Sequence, residues 1–508
     1  MRIANIYGLL VGICVVLTIY FGVPTTEKQQ IPKTGEKNLK YGVICDAGSS
    51  GTRMFVYTIE KKNDRDLVDI DTLIRDNEAI VKKVSPGLST FAENPHAVIE
   101  YIAPLLKFAE HHIPDELVEE TPLFIYATAG MRLLPDDKKA ALIYNLQTRL
   151  SEVTQLKIIS SNIKVIDGTW EGIYSWISVN YILGRFSSVP TTPESEITDN
   201  TAGMIDMGGA SVQIAFELPD DAHNFVSDNV FEINLGSDDN DDYKYKIFST
   251  TFLGYGANEG LQKYEISLIQ DTENKNKSVL DSCAPVGFER IVGEMSVQGT
   301  GKWDECVDKV EELIDFGKSD RCHKDDTCFL KNTFAPKINM SNVELYGFSE
   351  YWYTTYNFES AGHYNFQNFS SKVKKYCSTS WNEIQTGFAK NEYPNAELER
   401  LSSNCFKAAW VTTVLHEGFN VDRNNNQFSS VLKIGGEEMQ WTLGAMIYHF
   451  RSFDDRLSQN VSNTLSILLL ILAILIFLFY RQLQIDWKDA KNKYTSMRLE
   501  PKSNMFMV

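Results

Sequence analysis

The sequence has few cysteines and histidines for its length, and none stands at a spacing typical of a metal centre. There are 8 of each in 508 residues, with no CxxC pair and no HExxH segment. Zinc sites are built from such spacings, so a zinc protein is disfavoured. Positive charge is also scarce, since 49 Lys and Arg against 67 Asp and Glu give a net charge of -18. Such a surface repels nucleic acid and anionic lipid, and an anionic substrate would need a local site.

Long apolar runs are confined to the two ends of the chain. Residues 6–23 are uncharged and nearly long enough to span a bilayer, although a cleaved signal peptide shares these features. Residues 461–480 form a second span, followed by several Lys and Arg that indicate a cytoplasmic tail over 481–508. We therefore predict a cytoplasmic N-terminus over 1–5, a stalk over 24–40, and an ectodomain that lies in a lumen or outside the cell.

Glycosylation and disulfide signals agree with that compartment. Four N-x-S/T sequons are present, at Asn276, Asn339, Asn368 and Asn460. An oxidising lumen favours disulfides, and we predict sequential pairs among the six cysteines after residue 280. The predicted pairs are Cys283 with Cys306, Cys322 with Cys328, and Cys377 with Cys405. Cys45 is predicted to be a buried free thiol.

Two similar segments, 160 residues apart, organise the chain between its ends. Tyr41 to Ile59 reads as an apolar run, a turn of small residues opened by Asp46, and a second apolar run. Gly203 to Leu218 repeats the pattern, with Asp206 in the place of Asp46. The matched positions are Asp46 with Asp206, Gly48 with Gly208, Ser49 to Gly51 with Gly209 to Ser211, and Arg53 with Gln213. A repeat of this length predicts two similar lobes.

The small residues in these turns leave the backbone N–H groups accessible to an anion. Phosphate could bind there, although a Gly/Ser turn is also a common hairpin connection. Each Asp has two interpretations as well. It can start the turn by bonding its own backbone. Alternatively, Asp46 and Asp206 face each other across a cleft and hold a divalent cation, directly or through water, because Mg²⁺ and Ca²⁺ prefer oxygen ligands.

Three further positions carry both a structural and a functional interpretation. Thr128 follows a short strand, where open α/β sheets bind ligands and where a tight turn is equally reasonable. Glu171 lies in the first turn of a segment whose period predicts an amphipathic helix, and it can either complement the helix dipole or deprotonate water. Tyr351 to Tyr353 is a run of adjacent rings, suited to a core or to stacking on a base.

Five segments resemble, in order and spacing, the apyrase conserved regions of the ectonucleoside triphosphate diphosphohydrolases. They are DAGSSGTR, ATAGMR, GTWEGIYSWISVNYILG, DMGGASVQIAF and WTLGAMIY. The two terminal spans, together with the segments TFLGYGANE, YGFSEYWY, NCFKAAW and EMQWTLGAMIY, most resemble the Golgi and lysosomal branch of that family. Members of that branch remove the terminal phosphate of nucleoside diphosphates, and some take triphosphates. The resemblance implies an α/β, actin/hexokinase-like fold of two ribonuclease-H-like lobes around a nucleotide cleft. Lobe I would cover 41–166 and be completed by 427–455, and lobe II would cover 167–426.

Motif positions in that family imply a role for each matching residue here. Glu171 resembles the base that activates water, with Ser211 and Gln213 orienting that water. Asp46, Asp206 and Thr128 resemble the residues that hold Ca²⁺ or Mg²⁺ through its water shell, and Tyr353 resembles the ring that stacks on the base. The implied phosphate ligands are Ser49, Ser50, Gly51, Thr52, Arg53, Gly208, Gly209 and Ala210. One departure is that Ala257-Asn258 follows Tyr255-Gly256 where cell-surface members carry an Arg, so contacts to base and ribose cannot be transferred.

These features predict a metal-dependent nucleoside diphosphatase in the Golgi membrane, with its catalytic domain in the lumen. UDP, GDP and ADP are the expected substrates, with triphosphates as a further possibility and protein glycosylation as the process served. The lysosomal or plasma membrane is the alternative location, and an oligomer is compatible with two membrane spans. Two other functional classes stay open: a sugar-kinase-like phosphotransferase of the same fold, and a nucleotide receptor with weak or no turnover.

Overall fold

The computed structural model describes the chain in segments. They are residues 39–60, 67–75, 78–186, 201–222, 224–236, 241–270, 278–314, 328–337, 339–394, 396–424, 427–451, 472 and 475–493. The chain divides into two compact units, residues 1–451 and 452–508. In the second unit residues 475–493 are helical. No helix of the described segments is long and apolar enough to cross a membrane. The predicted span over 6–23, most of the span over 461–480 and nearly all of the stalk lie outside them, as do Asn276, Asn460 and Cys322.

The first sheet of the larger unit has six strands. They are β1 Lys40–Ala47, β2 Thr52–Glu60, β3 Asp69–Thr72, β4 Val81–Val84, β5 Pro122–Ala127 and β6 Lys157–Val165. Their order is β3-β2-β1-β5-β6, with β4 paired to the beginning of β2. β1 runs antiparallel to β2 and parallel to β5. All six residues of β5 are buried, as expected for a strand covered on both faces.

The second sheet has seven strands. They are β7 Gly203–Met207, β8 Ser211–Glu217, β9 Val230–Asn234, β10 Lys244–Leu253, β11 Leu345–Ser349, β12 Gly362–His363 and β13 Phe428–Ser430. Their order is β9-β10-β8-β7-β11-β13-β12. β7 runs antiparallel to β8 and parallel to β11, which repeats the arrangement of β1, β2 and β5. Smaller two- and three-stranded sheets are formed by Ile74–Arg75 with Glu78–Ala79, by Ser278–Asp281, Glu289–Val292 and Met295–Gly299, by Cys328–Phe329 with Thr333–Phe334, and by Lys433–Ile434 with Glu437–Glu438.

The repeat predicted from the sequence is confirmed by the register of the strands. Asp46 pairs with Arg53 in the first sheet, and Asp206 pairs with Gln213 in the second. Both turns are closed by the same backbone hydrogen bond. The Gly48 N–H donates to the Gly51 carbonyl at 2.9 Å, and the Gly208 N–H donates to the Ser211 carbonyl at 3.0 Å. Two half-sites of the same design therefore stand at the ends of equivalent strands.

The helix that carries Glu171 is buried far more completely than an amphipathic helix. This central helix, Gly168–Ile182, begins at the N-cap Asp167, whose carboxylate accepts from the Thr169 N–H at 2.8 Å. Every residue from Glu171 to Asn180 is buried. The amphipathic prediction is therefore wrong. The helix packs on the second sheet on one side and on helix Trp441–Phe450 on the other, so it has no solvent face.

Helix Trp441–Phe450 connects the two lobes through a close approach to the central helix. The Gly444 N–H donates to the Ser178 hydroxyl at 2.8 Å, and a side chain at Gly444 would overlap the Tyr174 carbonyl. The same helix contacts β1, β2 and β3 of the first sheet. β13, which we assigned to lobe I with the rest of 427–455, pairs instead with β11 in the second sheet.

The remaining helices surround the two sheets. In Val98–His111 the buried residues recur every three or four positions, which is the pattern of a helix with one apolar face. The others are Ala129–Arg132, Asp136–Arg149, Ala257–Gln270, Trp303–Leu313, Glu350–Asn357, Phe366–Cys377, Trp381–Ala389 and Leu398–Thr413.

Two predicted disulfides, Cys283–Cys306 and Cys377–Cys405, are confirmed, and Cys45 is a buried free thiol as predicted.

Candidate active site

One cleft brings together residues of both Asp loops and of the central helix. Asp46 and Asp206 both line it, so neither carboxylate points into a separate hydrophobic core. The loops approach closely, since a Cβ at Gly209 would lie 3.2 Å from the Ser49 hydroxyl oxygen. Thr52 is an exception among the predicted phosphate ligands, because it is fully buried and does not line the cleft. The predicted residues that do line it are Asp46, Ser49, Ser50, Gly51, Arg53, Thr128, Glu171, Asp206, Gly208, Gly209, Ala210, Ser211, Gln213 and Tyr353.

For both Asp side chains the effect of burial on the pKa outweighs that of the nearby positive charge. Burial raises the pKa of Asp46 to about 6, Arg53 opposes this rise, and the negative charge of Asp206 adds to it. Burial also raises the pKa of Asp206, against the opposing effects of a hydrogen bond from Ser349 and of Arg53. Asp206 Oδ1 is buried without a hydrogen-bond partner. Two mutually repelling carboxylates, one with an unsatisfied oxygen, form a site that a cation would stabilise.

The donor set fits Ca²⁺ or Mg²⁺ held through water. Within the described segments no three His, Cys, Asp or Glu side chains converge closely enough to ligate a metal ion together. Thr128 is buried at the C-terminal end of β5, where its N–H donates to the Ala47 carbonyl at 3.2 Å. Carboxylate and hydroxyl oxygens around an open cleft suit a hard, hydrated cation.

Glu171 belongs to a hydrogen-bonded network that spans both lobes. Its Oε2 accepts from Arg132 Nη2 at 3.0 Å and from Gln213 Nε2 at 3.4 Å. The same Arg132 nitrogen donates to the Ser211 hydroxyl at 3.1 Å, and Gln213 Nε2 donates to that hydroxyl at 2.6 Å. Gln213 also donates to the Thr251 hydroxyl at 3.1 Å. The carboxylate, hydroxyl and amide that the family resemblance assigns to the water are thus in mutual contact.

The pKa of Glu171 is suited to a base that works near neutral pH. Burial raises this pKa to about 7, Arg132 lowers it, and Asp206 and Asp46 raise it further. A carboxylate with a pKa near the working pH combines a useful ionised fraction with real basicity. Perturbed carboxylates that converge in one cleft are also typical of active sites.

We expect replacement of Arg132 by Gln to move the acid limb of the pH profile to higher pH. The ionised form of Glu171 is the base, so kcat/KM should rise as pH increases through the pKa of Glu171, with a midpoint at or below about 7 when a cation is bound. Loss of the Arg132 charge raises that pKa and should lower activity at pH 7 by about tenfold or more. The control is Arg149→Gln, which removes a surface ion pair with Glu152. An unchanged midpoint in Arg132→Gln would contradict this prediction.

Four residues that line the site or contact Glu171 have no role predicted from the sequence. Arg132 was visible as part of ATAGMR, but nothing in the sequence shows that it reaches Glu171. Trp441 lines the cleft and donates a hydrogen bond to Asp46. Ser349 lines it with a φ of 54°, which is unusual for a residue other than glycine and is often found at functional sites. Lys83 also lines the cleft, and its position depends on strand pairing that the sequence does not reveal.

The structure also places three residues that the motifs left unexplained. Trp170 packs between the lobes, with its ring 5.1 Å from Tyr448 and 5.5 Å from Tyr174. Ala257 and Asn258 begin a helix whose first N–H groups donate to the carbonyls of Gly208 and Gly209, each at 2.9 Å. The segment that departs from the cell-surface pattern therefore supports the second loop.

Tyr353 lies at the edge of the cleft on helix Glu350–Asn357. The Arg400 guanidinium lies 4.8 Å from the centre of its ring. Arg400 is held by Glu350, donating to its two carboxylate oxygens at 2.6 and 3.1 Å.

Of the sequons, Asn339 and Asn368 are exposed, and glycosylation at either stays a prediction.

Several known proteins are similar to this chain in sequence. The chain is 52% identical to a nucleoside-triphosphatase, ntp-1, of Caenorhabditis elegans, over 100% of this chain and 94% of that protein. It is 47% identical to the nucleoside-diphosphatase mig-23 of the same species, over 86% of this chain and 82% of that protein. It is 34% identical to human ectonucleoside triphosphate diphosphohydrolase 4, over 82% and 74%.

A solved structure supports the fold. A nucleoside triphosphate hydrolase from Neospora caninum superposes with a TM-score of 0.57 at 13% identity, covering 81% of this chain and 92% of that one. At this identity the match shows the fold alone, an α/β architecture of two related lobes. The sequence family described as GDA1/CD39 (nucleoside phosphatase) matches residues 32–464, which is most of the chain. The chain belongs to the GDA1/CD39 nucleoside phosphatase family.

Proposed function

We propose that this protein hydrolyses the terminal phosphate of nucleoside diphosphates, and of some triphosphates, with Ca²⁺ or Mg²⁺ as cofactor. The observation that carries the proposal is the buried Glu171, held by Arg132 beside Ser211, in the cleft lined by both Asp loops. The names of the relatives, which include both a nucleoside-diphosphatase and a nucleoside-triphosphatase, support the same chemistry.

The residues of the chain divide the reaction into binding, orientation and proton transfer. The N–H groups of the two small-residue loops and the Arg53 guanidinium bind the phosphate chain. Ser211 and Gln213 orient a water molecule, and Glu171 takes its proton as the oxygen attacks the terminal phosphorus. Phosphoryl transfer needs mainly positioning and charge neutralisation, so no covalent intermediate on the protein is required.

The cation completes the charge balance of the cleft. Asp46, Asp206 and Thr128 would hold it through its water shell, and when bound it neutralises phosphate charge. The unsatisfied Asp206 Oδ1 and the raised pKa of Asp46 are the features that favour such a ligand.

We also propose that the enzyme works in the lumen of the Golgi apparatus. The predicted terminal spans, the lumenal sequons and the disulfides support a site in the secretory pathway. Glycosyltransferases in that lumen release nucleoside diphosphates, and hydrolysis to monophosphates would allow nucleotide-sugar transport to continue. Localisation of the tagged full-length protein against Golgi, lysosomal and plasma-membrane markers tests this assignment.

A phosphate-release panel on the purified protein tests the proposed activity. UDP, GDP, ADP and the corresponding triphosphates should be assayed with Ca²⁺, with Mg²⁺ and with a chelator. We expect metal-dependent release from at least one diphosphate without any added acceptor, which a sugar-kinase-like enzyme would require. Absence of release from every nucleoside diphosphate would contradict the proposal.

A further inference from the structure

A lysine at the edge of the cleft belongs to a row of charged side chains in the first sheet. β4 pairs with β2 in a register that places Lys83 opposite Arg53, and Arg53 in turn lies opposite Asp46. Side chains at directly paired positions of neighbouring strands project from the same face. All three residues line the cleft. The first lobe therefore presents one carboxylate and two cations in a row.

The equivalent row of the second lobe carries no cation. Asp206 pairs with Gln213, and Gln213 pairs with Thr251 on β10. Thr251 thus stands where the first lobe has Lys83. Because these paired strands are equivalent in the two lobes, the difference in charge between the two rows indicates that each row has its own role. The neutral amide and hydroxyl serve the water beside Glu171, and the positive row is suited to an anion.

The Lys83 side chain lies over the first small-residue loop. A Cβ at Gly51 would be 3.3 Å from Lys83 Cε, so the absence of a side chain at Gly51 leaves room for the lysine stem. Within the described part of the chain the Lys83 ammonium makes no ion pair. Its charged neighbours, at longer range, are Arg53, Glu397, Asp46 and Glu438. A phosphate oxygen would provide a direct partner that none of these supplies.

One of these neighbours, Glu397, connects Lys83 to the side of the cleft that carries Tyr353. Glu397 is the residue before helix Leu398–Thr413. That helix carries Arg400, which stacks on the Tyr353 ring. If Tyr353 stacks on the base, as its motif position predicts, the phosphate at this end is the one bonded to the ribose.

We propose that Lys83 binds the phosphate that stays with the nucleoside and stabilises it as the leaving group. This inference rests on the proposed function. In the reaction a water oxygen bonds to the terminal phosphorus while the bond from that phosphorus to the bridging oxygen breaks. Glu171 receives the proton, and the electron pair of the broken bond stays on the bridging oxygen of the monophosphate. The ammonium of Lys83 neutralises that charge where it develops.

The test compares Lys83→Met with the matched control Lys82→Met. Both variants remove one positive charge from β4, but Lys82 points away from the cleft, with its ammonium 5.4 Å from the centre of the Phe108 ring. Loss of one charge-assisted contact to phosphate should lower kcat/KM for nucleoside diphosphates by about 10- to 100-fold in Lys83→Met. Lys82→Met should stay within about threefold of the unmodified protein. Equal effects of the two substitutions would overturn the proposal.

Product inhibition distinguishes the leaving phosphate from the transferred one. In Lys83→Met the inhibition constant of the nucleoside monophosphate should rise by about tenfold or more, and that of inorganic phosphate should stay unchanged. A rise for inorganic phosphate alone, or for neither product, would overturn the assignment. If the unmodified protein releases no phosphate at all, the proposed function fails separately. Calorimetric titration with a non-hydrolysable nucleoside diphosphate would then decide whether Lys83→Met weakens binding relative to Lys82→Met.

Discussion

Replacing Glu171 by Gln should lower kcat by at least about 10²-fold, because the substitution removes the carboxylate that the network of Arg132, Ser211 and Gln213 presents to the water. Gln has the same shape and can still accept the hydrogen bond from Arg132, so the fold and the cleft should be retained. The Kd of a non-hydrolysable nucleoside diphosphate should therefore stay within about threefold. Phosphate release and calorimetric titration on the same preparation measure the two effects separately.

The matched control for that substitution is Glu100→Gln. Glu100 also lies in the first turn of a helix, but it is exposed and does not line the cleft. It should lose only the small contribution of a carboxylate to the helix dipole, about 0.3–1 kcal/mol, and no activity. If Glu171→Gln kept activity within tenfold of the unmodified protein, Glu171 would be a structural partner of the helix and of Arg132. If the unmodified protein and Glu171→Gln both bound the nucleotide and neither hydrolysed it, the receptor alternative would hold.

Much of the site could be predicted because its parts are local in sequence. The Asp loops consist of small residues between apolar strands, and their repeat is visible by alignment of the chain with itself. Cys45 and two disulfides were also predicted correctly. The duplicated register of Asp46 with Arg53 and of Asp206 with Gln213 follows from this local pattern.

What could not be predicted depends on contacts between distant segments. Periodicity at Gly168–Ile182 suggested one apolar face, but a helix packed between a sheet and a second helix is buried on all sides, including Ser178 and Asn180. The contact from Arg132 to Glu171 joins residues of two different lobes. The position of Lys83 opposite Arg53 requires β4 to pair with β2, and short edge strands give little sequence signal. The side chain of Thr52 lies on the buried face of β2. It therefore cannot contact phosphate in the cleft, although its motif position implies a phosphate ligand.

Replacing Asp46 by Asn should abolish most activity and yet stabilise the cation-free protein. The pKa of Asp46 is raised from its usual value near 3.8 to about 6 in the folded state, first by burial and then by the charge of Asp206. A raised carboxyl pKa means that the folded state binds the proton more tightly than the unfolded state. The contribution of Asp46 to the stability of the fold is therefore most favourable below about pH 4 and is lost as pH rises through about 6. Above that range the ionised carboxylate destabilises the fold by on the order of 1–3 kcal/mol, a cost that Asn does not carry.

A bound cation should reverse the order of stability. With a chelator at pH 8, Asp46→Asn should unfold at a higher temperature than the unmodified protein. Added Ca²⁺ or Mg²⁺ should then stabilise the unmodified protein more than the variant, because only the former offers both carboxylates. Calorimetric unfolding with and without the ion measures this difference without any substrate, and Asp137→Asn, at an exposed carboxylate remote from the cleft, is the control. If Asp46→Asn were the less stable protein in chelator, the neighbours of Asp46 would already satisfy its charge and the cleft would not need a cation. If Asp46→Asn is the more stable protein in chelator, the buried charge of Asp46 destabilises the cation-free protein. The same charge then gives the site its affinity for the ion.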